Sequence, residues 1–334
     1  MRVVQLAEFG PAQNLVLAEE PDPTPGPGQL LVSVAAAGVN RADLLFRSGR
    51  YHSGPPLPAV LGSEAAGVVV AVGADVTGFA VGDRVVAWGG IGAPGFYREL
   101  ALVEPDRAVH VPANVSLQAA AGLPIAWLSA WHCLRALADL RAGETVLIHA
   151  AASGVGSAAI QIAKDLGASV IGVVGSAAKQ RWITELGADH ALNRREADIV
   201  AEVDRLTEGR GVDVVLDAVG GEAFAQSLKA VGPGGRVVAL ANVALAPSTV
   251  DTRDFYPKNV RIYGFQLTNL MRSGWDPRPE LTELLSAVHD GRFTVSLEQT
   301  FTLADAAKAH SLLESGDTQG KVVLAVGNPD QLSR

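Results

Sequence analysis

The segment HAAASGVGSAAIQIAKDLGAS, residues 149–169, holds the residues with the clearest chemistry. On the G-x-G-x-x-G spacing of dinucleotide sites, its three positions are Ala151, Ser153 and Gly156, with Gly154 beside them. A turn of small residues lets the backbone approach a pyrophosphate, and the following helix N-terminus attracts anions. The segment therefore predicts a dinucleotide site, with plain helix–strand packing as the alternative. The Ser153 side chain would either crowd the pyrophosphate or donate its hydroxyl to it.

A second polar cluster follows the next predicted strand. In NAD sites an acid about 20 residues further along the chain binds the ribose hydroxyls. Here the strand ends at Gly175 and Ser176, and the first acid after them is Glu185. Positive charge is supplied nearby by Lys179, Arg181, Arg194 and Arg195. This pattern favours a cofactor with a 2′-phosphate, although the charges of Arg181 and Arg195 are better interpreted as solvated surface charges.

Alternating elements must position both clusters. From about residue 124, buried runs such as ETVLIHA and SVIGVVG alternate with helix-like stretches such as GSAAIQIAKDLGA. Strands that alternate with helices of roughly 10 to 15 residues are typical of a parallel sheet covered on both faces. We predict a doubly wound Rossmann domain that binds NADP over residues 124–265.

The first third of the chain has a different texture. Short β-branched runs, among them QLLVSVAAAGVN and GSEAAGVVVAVG, are broken by glycine and proline and predict a small β-barrel. The tail after NVRIYGFQL is too short for a third domain, so we expect it to complete this N-terminal unit. The predicted fold class is α/β, with a β-barrel substrate domain over residues 1–123 and 266–334.

Composition and charge exclude several functions. The formal net charge of −8 opposes binding to nucleic acids and anionic membranes. Cys133 is the single cysteine, so neither an intrachain disulfide nor a four-thiolate zinc site can form. The start of the chain lacks a signal-peptide core, and no run of about 18 apolar residues occurs. We expect a soluble cytoplasmic protein with no nucleic-acid or membrane partner.

The stretch GETVLIHAAASGVGSAAIQIAK, residues 143–164, resembles the signature of a known family, with Ser153 in place of a glycine. The family is the zinc-free quinone oxidoreductase and zeta-crystallin branch of the medium-chain dehydrogenase/reductase superfamily. The blocks that resemble it in the same order are AAGVNRADLLFRSGRY at 36–51, LPAVLGSEAAGVV at 57–69, GDRVVA at 82–87 and GKVVL at 320–324. The resemblance implies a GroES-like β-barrel domain plus a Rossmann domain.

The resemblance also implies that no metal takes part. Zinc-dependent members carry a cysteine after the GVN-type strand and a histidine in a G-H-E block, where this chain has Asn40 and Ser63. The structural zinc lobe needs several cysteines, and Cys133 stands alone. The missing acid after Gly175 and Ser176 favours NADPH as the cofactor. The family resemblance implies a quinone or an α,β-unsaturated carbonyl as the small-molecule substrate.

Site residues follow from the motif spacing and from the resemblance together. Asn40 matches an asparagine beside the nicotinamide and the substrate, and Ser129 stands where relatives have a threonine near the carboxamide. Arg194 replaces a frequent tyrosine and could bind a 2′-phosphate with two parallel hydrogen bonds. The residues predicted to bind the cofactor are Asn40, Ser129, Ser153, Gly154, Val155, Gly156, Gly175, Ser176, Lys179, Arg194 and Phe265.

Tyr51 and Asn40 are the predicted catalytic residues. Hydride transfer to a quinone or enone builds negative charge on oxygen, and without zinc that charge must be met by hydrogen-bond donors. The Asn40 amide and the Tyr51 phenol can both donate. Tyr51 precedes HSGPPLP, so packing against prolines is the alternative for its ring.

Two other functions stay open at this point. The same chemistry on an acyl thioester would make the chain an enoyl-thioester reductase. Crystallin and vesicle-associated relatives suggest instead a catalytically idle NADPH-binding protein. We also expect a homodimer, because relatives often pair sheet edges and GRVVALAN or NVRIYGFQL could serve here.

Overall fold

The computed structural model describes residues 1–90 and 95–327. The chain divides into two compact units. The first comprises Met1–Ile125 together with the chain from Trp275 onward, and the second comprises Ala126–Gly274. Residues 266–274 are thus in the second unit, whereas the sequence prediction places them in the first.

The elements below are given in chain order and keep these labels. The strands are β1 (Arg2–Leu6), β2 (Leu15–Glu19), β3 (Leu30–Val39), β4 (Ala59–Val60), β5 (Glu64–Val72), β6 (Arg84–Trp88), β7 (Leu100–Val103), β8 (Ala108–His110), β9 (Thr145–Ile148), β10 (Ser169–Val174), β11 (His190–Asn193), β12 (Val212–Asp217), β13 (Val231–Ala239), β14 (Arg261–Gly264), β15 (Leu297–Thr302) and β16 (Lys321–Ala325). The α-helices are α1 (Arg41–Arg47), α2 (Leu117–Ala121), α3 (Ala126–Trp131), α4 (Gly154–Asp165), α5 (Ala177–Glu185), α6 (Ile199–Leu206), α7 (Glu222–Ala230), α8 (Leu267–Arg272), α9 (Arg278–His289) and α10 (Ala306–Ser315). A π-helical turn, His132–Leu137, follows α3.

The first unit is built on two sheets. A three-stranded sheet has the order β2-β1-β4, and a larger one has the order β15-β16-β3-β5-β6-β8, with β7 also paired to β3. Every pair in these sheets is antiparallel except β15 with β16. The strand β3 is central because β5, β7 and β16 all pair with it, and its buried Leu30, Val32 and Val34 belong to the hydrophobic core.

The register of β3 decides which polar residues meet. Val322 of β16 lies opposite Val39, and Ala65 of β5 lies opposite Ala37. One step further along each antiparallel pair, Lys321 faces the end of β3 and Glu64 faces Gly38. Three residues from distant parts of the chain, Asn40, Glu64 and Lys321, are brought together in this way.

The second unit has one six-stranded sheet in the order β11-β10-β9-β12-β13-β14, and every pair in it is parallel. This is the doubly wound order in which the first strand of the domain, β9, lies at the centre. Apolar residues of β9, β10 and β12 pack in its core, including Leu147, Ile171 and Val215. The α/β fold class, with a β domain and a Rossmann domain, is confirmed.

The segment 266–274 accompanies the second sheet because of where β14 ends. Phe265 N donates to Ala239 O at 2.9 Å, so the chain leaves β14 beside the end of β13. Helix α8 then follows, and Asn269, Leu270 and Ser273 line a cavity together with residues of β13 and β14. Within residues 1–90 and 95–327, no helix has both the length and the apolar character needed to cross a membrane.

Candidate functional site

Ser153 is the N-cap residue of α4. Its backbone is extended, with φ −77° and ψ 171°, and its Oγ accepts a hydrogen bond from Gly156 N at 3.0 Å. Gly154 and Val155 are the first two helical residues, so their N–H groups have no acceptor within the helix. The Ser153 Oγ thus caps the helix as an acceptor, and its hydroxyl hydrogen can still be donated. The N–H groups of Gly154 and Val155 remain for an anion.

Gly156 is required by a close backbone approach. A Cβ at this position would lie 2.5 Å from Ala150 O and 2.6 Å from the Cα of Ala151, and neither of these backbone atoms can move freely. Ala151, in the first glycine position of the motif, is buried, and its N–H donates to Val173 O at 3.0 Å. Ala150 adopts the left-handed conformation in this turn, at φ 51°. For a residue with a side chain, this conformation costs about 1 kcal/mol or more.

The four residues predicted to bind the 2′-phosphate, Gly175, Ser176, Lys179 and Arg194, lie at or near the end of β10. A Cβ on Gly175 would lie 2.8 Å from Nη1 of Arg194, so the guanidinium lies against this glycine. Arg194 N donates to Val174 O at 2.9 Å, which fixes the start of the side chain. Ser176 caps α5, and its Oγ accepts from Lys179 N at 3.4 Å. The structure thus places a cation against the glycine and a hydroxyl directly after it.

His149 and Asp217 also lie beside the turn, and sequence reasoning missed both. His149 is 4% exposed, and its Nε2 has no hydrogen-bond partner among the described residues. Burial lowers the pKa of His149; the Asp217 carboxylate opposes this and the Arg194 charge adds to it. Asp217 Oδ1 accepts from Val219 N at 2.7 Å and from Gly220 N at 3.0 Å. For His149, the available sequence signal was a histidine within the otherwise apolar run ETVLIHA.

A cavity of about 710 Å³ opens at the carboxyl ends of β13 and β14. Its lining residues are His132, Leu137, Ala239, Leu240, Ala241, Gly264, Phe265, Gln266, Asn269, Leu270 and Ser273. The Phe265 ring stacks on His132 with centroids 5.6 Å apart and planes 27° apart. Aromatic walls with a few amide groups can accommodate a flat polar ring. Ser129 is buried in α3, one helical turn before His132.

Asn40 follows β3 and is almost fully buried. Its Oδ1 accepts from Lys321 Nζ at 2.8 Å, and its Nδ2 donates to Glu64 Oε1 at 2.8 Å. Lys321 and Glu64 also form an ion pair at 2.6 Å, with side chains only 4% and 0% exposed. Gly38 makes room for this arrangement, because a Cβ there would lie 2.2 Å from Glu64 Oε1.

A buried chain of titratable groups extends from the Asn40 backbone. Asp43 Oδ2 accepts from Asn40 N at 2.9 Å and from the Tyr97 hydroxyl at 3.3 Å, and that hydroxyl also lies 3.1 Å from His310 Nε2. Burial raises the pKa of Asp43 to about 7. Burial and the Asp43 carboxylate raise the pKa of Tyr97, while burial, assisted by Arg47, lowers the pKa of His310 to about 3. No sequence motif indicated this chain of groups.

Tyr51 packs at the edge of the first unit's core. It is half-buried, and its ring contacts that of His52 with centroids 4.3 Å apart. The prediction that its phenol takes part in catalysis stays a prediction.

The residues around Asn40 do not fit a zinc ion. Zinc prefers thiolate, imidazole and carboxylate ligands. Asn40 offers an amide whose oxygen already accepts from Lys321, and the Ser63 hydroxyl lies 3.5 Å from Asp43 Oδ1. Glu64 is bonded to the Lys321 ammonium. Over the described ranges, no group of three or more His, Cys, Asp or Glu side chains is arranged to hold a metal.

Family models match both units. Residues 26–113 match an alcohol dehydrogenase GroES-like domain, and residues 154–287 match a zinc-binding dehydrogenase domain. A quinone oxidoreductase of Pseudomonas aeruginosa is 36% identical over 327 residues, covering 96% of this chain and 98% of that protein. The chain belongs to the quinone oxidoreductase branch of the medium-chain dehydrogenase/reductase superfamily. It is an oxidoreductase, as the sequence predicts.

Two further proteins are similar to this oxidoreductase. The crystal structure of Escherichia coli quinone oxidoreductase complexed with NADPH has a TM-score of 0.89 and 33% identity, and the match covers 97% of this chain and 100% of that one. A phenolphthiocerol/phthiocerol polyketide synthase polypeptide of Mycobacterium tuberculosis is 34% identical over 324 residues, which cover 97% of this chain and 15% of that much longer protein.

Proposed function

We propose that this oxidoreductase is a zinc-independent, NADPH-dependent reductase that transfers hydride to a quinone or an α,β-unsaturated carbonyl. The observation that carries the proposal is the end of β10, where Arg194 lies against Gly175 at the position in which an NAD site places an acid. The NADPH complex of the E. coli relative supports the same cofactor.

Three groups of residues would hold NADPH. The free N–H groups of Gly154 and Val155 would bind the pyrophosphate at the start of α4, with the Ser153 hydroxyl beside them. Gly175, Ser176, Lys179 and Arg194 would bind the 2′-phosphate. Ser129, Phe265 and Asn40 would contact the nicotinamide end. When bound, NADPH supplies a hydride to the acceptor.

The protein must stabilise the oxygen that becomes negative during the reaction. Asn40 Nδ2 has two hydrogens and gives one to Glu64, so the other can be donated to that oxygen. Tyr51 would donate a second hydrogen bond or the proton that completes the reduced product. The loss of one such donor typically costs about 10²- to 10³-fold in rate. Zinc is given no part in the reaction, because the residues around Asn40 do not fit it.

Steady-state oxidation of NADPH with 9,10-phenanthrenequinone and 1,2-naphthoquinone tests the proposal. We expect turnover with at least one quinone or enone, and a loss of about 10²-fold or more in Asn40→Ala. Tight NADPH binding without turnover on any quinone, enone or thioester would support the idle binding protein instead.

A second function is supported by one observation, the 34% identity to a polyketide synthase polypeptide. An enoyl-thioester reductase would use the same hydride and the same donors, but on a substrate held by an acyl carrier. Reduction of a crotonyl thioester with a kcat/KM at least about tenfold above that for quinones would favour this alternative.

We further propose that the protein is a homodimer joined through β14. This strand is an edge of the six-stranded sheet and exposes Ile262, whereas GRVVALAN contributes to β13, which is paired on both sides. An edge strand with unpaired backbone groups is suited to pair with its copy. Ile262→Lys should shift the mass measured by light scattering from dimer to monomer, and an unchanged mass would argue against β14.

A further inference from the structure

The orientation of the Asn40 amide is fixed by its two partners. Lys321 Nζ can only donate and the Glu64 carboxylate can only accept, so the two ends of the amide cannot be exchanged. Oδ1 must lie towards Lys321, at 2.8 Å, and Nδ2 towards Glu64 Oε1, at 2.8 Å. An asparagine held by water or by hydroxyl groups would have no such constraint.

Both partners are themselves fully engaged. Lys321 Nζ donates to Asn40 Oδ1, to Glu64 Oε1 at 2.6 Å and to Val39 O at 3.3 Å, which uses its three hydrogens. Glu64 Oε2 accepts from Ile125 N at 2.7 Å, so the second carboxylate oxygen is also anchored. Neither side chain can turn away from Asn40 without leaving a buried charge unpaired.

We propose that Glu64 and Lys321 are positioning residues that make Asn40 present an N–H, and not its carbonyl oxygen, to the reacting molecule. This inference rests on the proposed function of Asn40 as a donor to the developing negative charge. A reversed amide would offer an oxygen to that charge and raise the barrier. Lys321 also withdraws electron density from Oδ1, which strengthens the remaining Nδ2–H as a donor.

One test follows the amide itself and does not depend on turnover. The Asn40 side-chain NH2 signals are identified by NMR from those lost in Asn40→Ala. In the wild type we expect the Asn40 Nδ2 hydrogen that is donated to Glu64 to exchange slowly with solvent. In Glu64→Gln/Lys321→Met this protection should be lost, because a glutamine amide both donates and accepts and so no longer fixes the orientation of Asn40. Equal protection in the two proteins would overturn the proposal. The double substitution is used because it removes both buried charges, whereas a single replacement would leave one of them unpaired.

A second test measures NADPH oxidation with 9,10-phenanthrenequinone. Lys321→Met should lower kcat by about tenfold to hundredfold while the Kd for NADPH changes by less than about threefold. In an Asn40→Ala background the same substitution should add no further loss, because both act through one group. Additive losses, or a raised Kd with unchanged kcat, would overturn the proposal. Lys308→Met, at an exposed pair with Asp305, is the control.

The two tests separate the two claims. A wild type that shows the protected amide but reduces no quinone or enone contradicts the proposed function and leaves the orientation of Asn40 established. An unprotected amide in an active wild type contradicts the positioning role alone.

Discussion

Arg194 covers Gly175 so closely that Nη1 lies 2.8 Å from the position a Cβ would take. The absence of a side chain at Gly175 leaves space for the guanidinium, because any side chain at this position would displace it. A planar guanidinium can bind a phosphate through two parallel hydrogen bonds. We propose that this contact contributes to a preference for NADPH over NADH.

Lys179→Ala tests the 2′-phosphate site. We expect the KM for NADPH to rise by about tenfold or more, because a charge-assisted hydrogen bond is lost, and the KM for NADH to remain nearly unchanged. Steady-state kinetics with each cofactor measures both values. Arg181→Ala is the control, since its exposed side chain is interpreted as a solvated surface charge. An equal effect of Lys179→Ala on both cofactors would remove Lys179 from the site.

Gly175→Asp should reduce the preference for NADPH. The new carboxylate would lie against Arg194, pair with it and repel a 2′-phosphate, while it could accept from the 2′-hydroxyl of NADH. We expect the ratio of kcat/KM for NADPH to that for NADH to fall by about tenfold or more, which corresponds to about 1.4 kcal/mol. Gly175→Asn has the same size without the charge and should cause a smaller fall. If both variants behaved alike, the effect would be steric only.

Ser153→Ala should lower the stability of the second unit. The N-cap bond to Gly156 N is lost, which costs about 1 kcal/mol, while Ser153→Gly costs only a few tenths. Thermal unfolding should show a lower midpoint, by about 2–4 °C, in the alanine variant and little change in the glycine variant. If the two variants had the same midpoint, the serine would not be stabilising α4 as a cap.

Asp43 predicts a pH dependence of stability. Its pKa is about 7 in the folded protein because of burial, against 3.8 when exposed, with Lys321 and Tyr97 lowering it and Glu64 raising it. Between these values folding takes up a proton, so this group's contribution to the free energy of unfolding falls as pH rises and levels off above pH 7.

Asp43→Asn removes that contribution. The free energy of unfolding of the variant minus that of the wild type should increase by about 1.4 kcal/mol per pH unit between about pH 5 and pH 7. Urea unfolding at several pH values measures the difference, and the exposed Asp75→Asn is the control. A difference that does not vary with pH would show that Asp43 is ionised throughout.

The doubly wound unit could be predicted from sequence because its signals are local. The strand β10 begins where the run SVIGVVG indicates, and α4 begins directly after Ser153, a residue type favoured at helix N-caps. Helices α1 and α3 and the π-helical turn were not predicted, since elements of only six or seven residues are too short to show a clear helical periodicity.

The surroundings of Asn40 could not be predicted in the same way. Lys321 and Glu64 are separated by more than 250 positions, and only the register of β3 with β16 and β5 brings them together. The Asp43, Tyr97 and His310 contacts depend equally on tertiary packing. A nicotinamide cofactor was therefore predictable from one local motif, whereas the residues that contact the Asn40 amide were not.

The most direct test of the account is the rate of NADPH oxidation by 9,10-phenanthrenequinone before and after exhaustive treatment with a zinc chelator. We expect turnover that the chelator does not change, with a higher kcat/KM for NADPH than for NADH. A protein that oxidises neither cofactor, or whose activity disappears with the chelator and returns with zinc, would contradict the account.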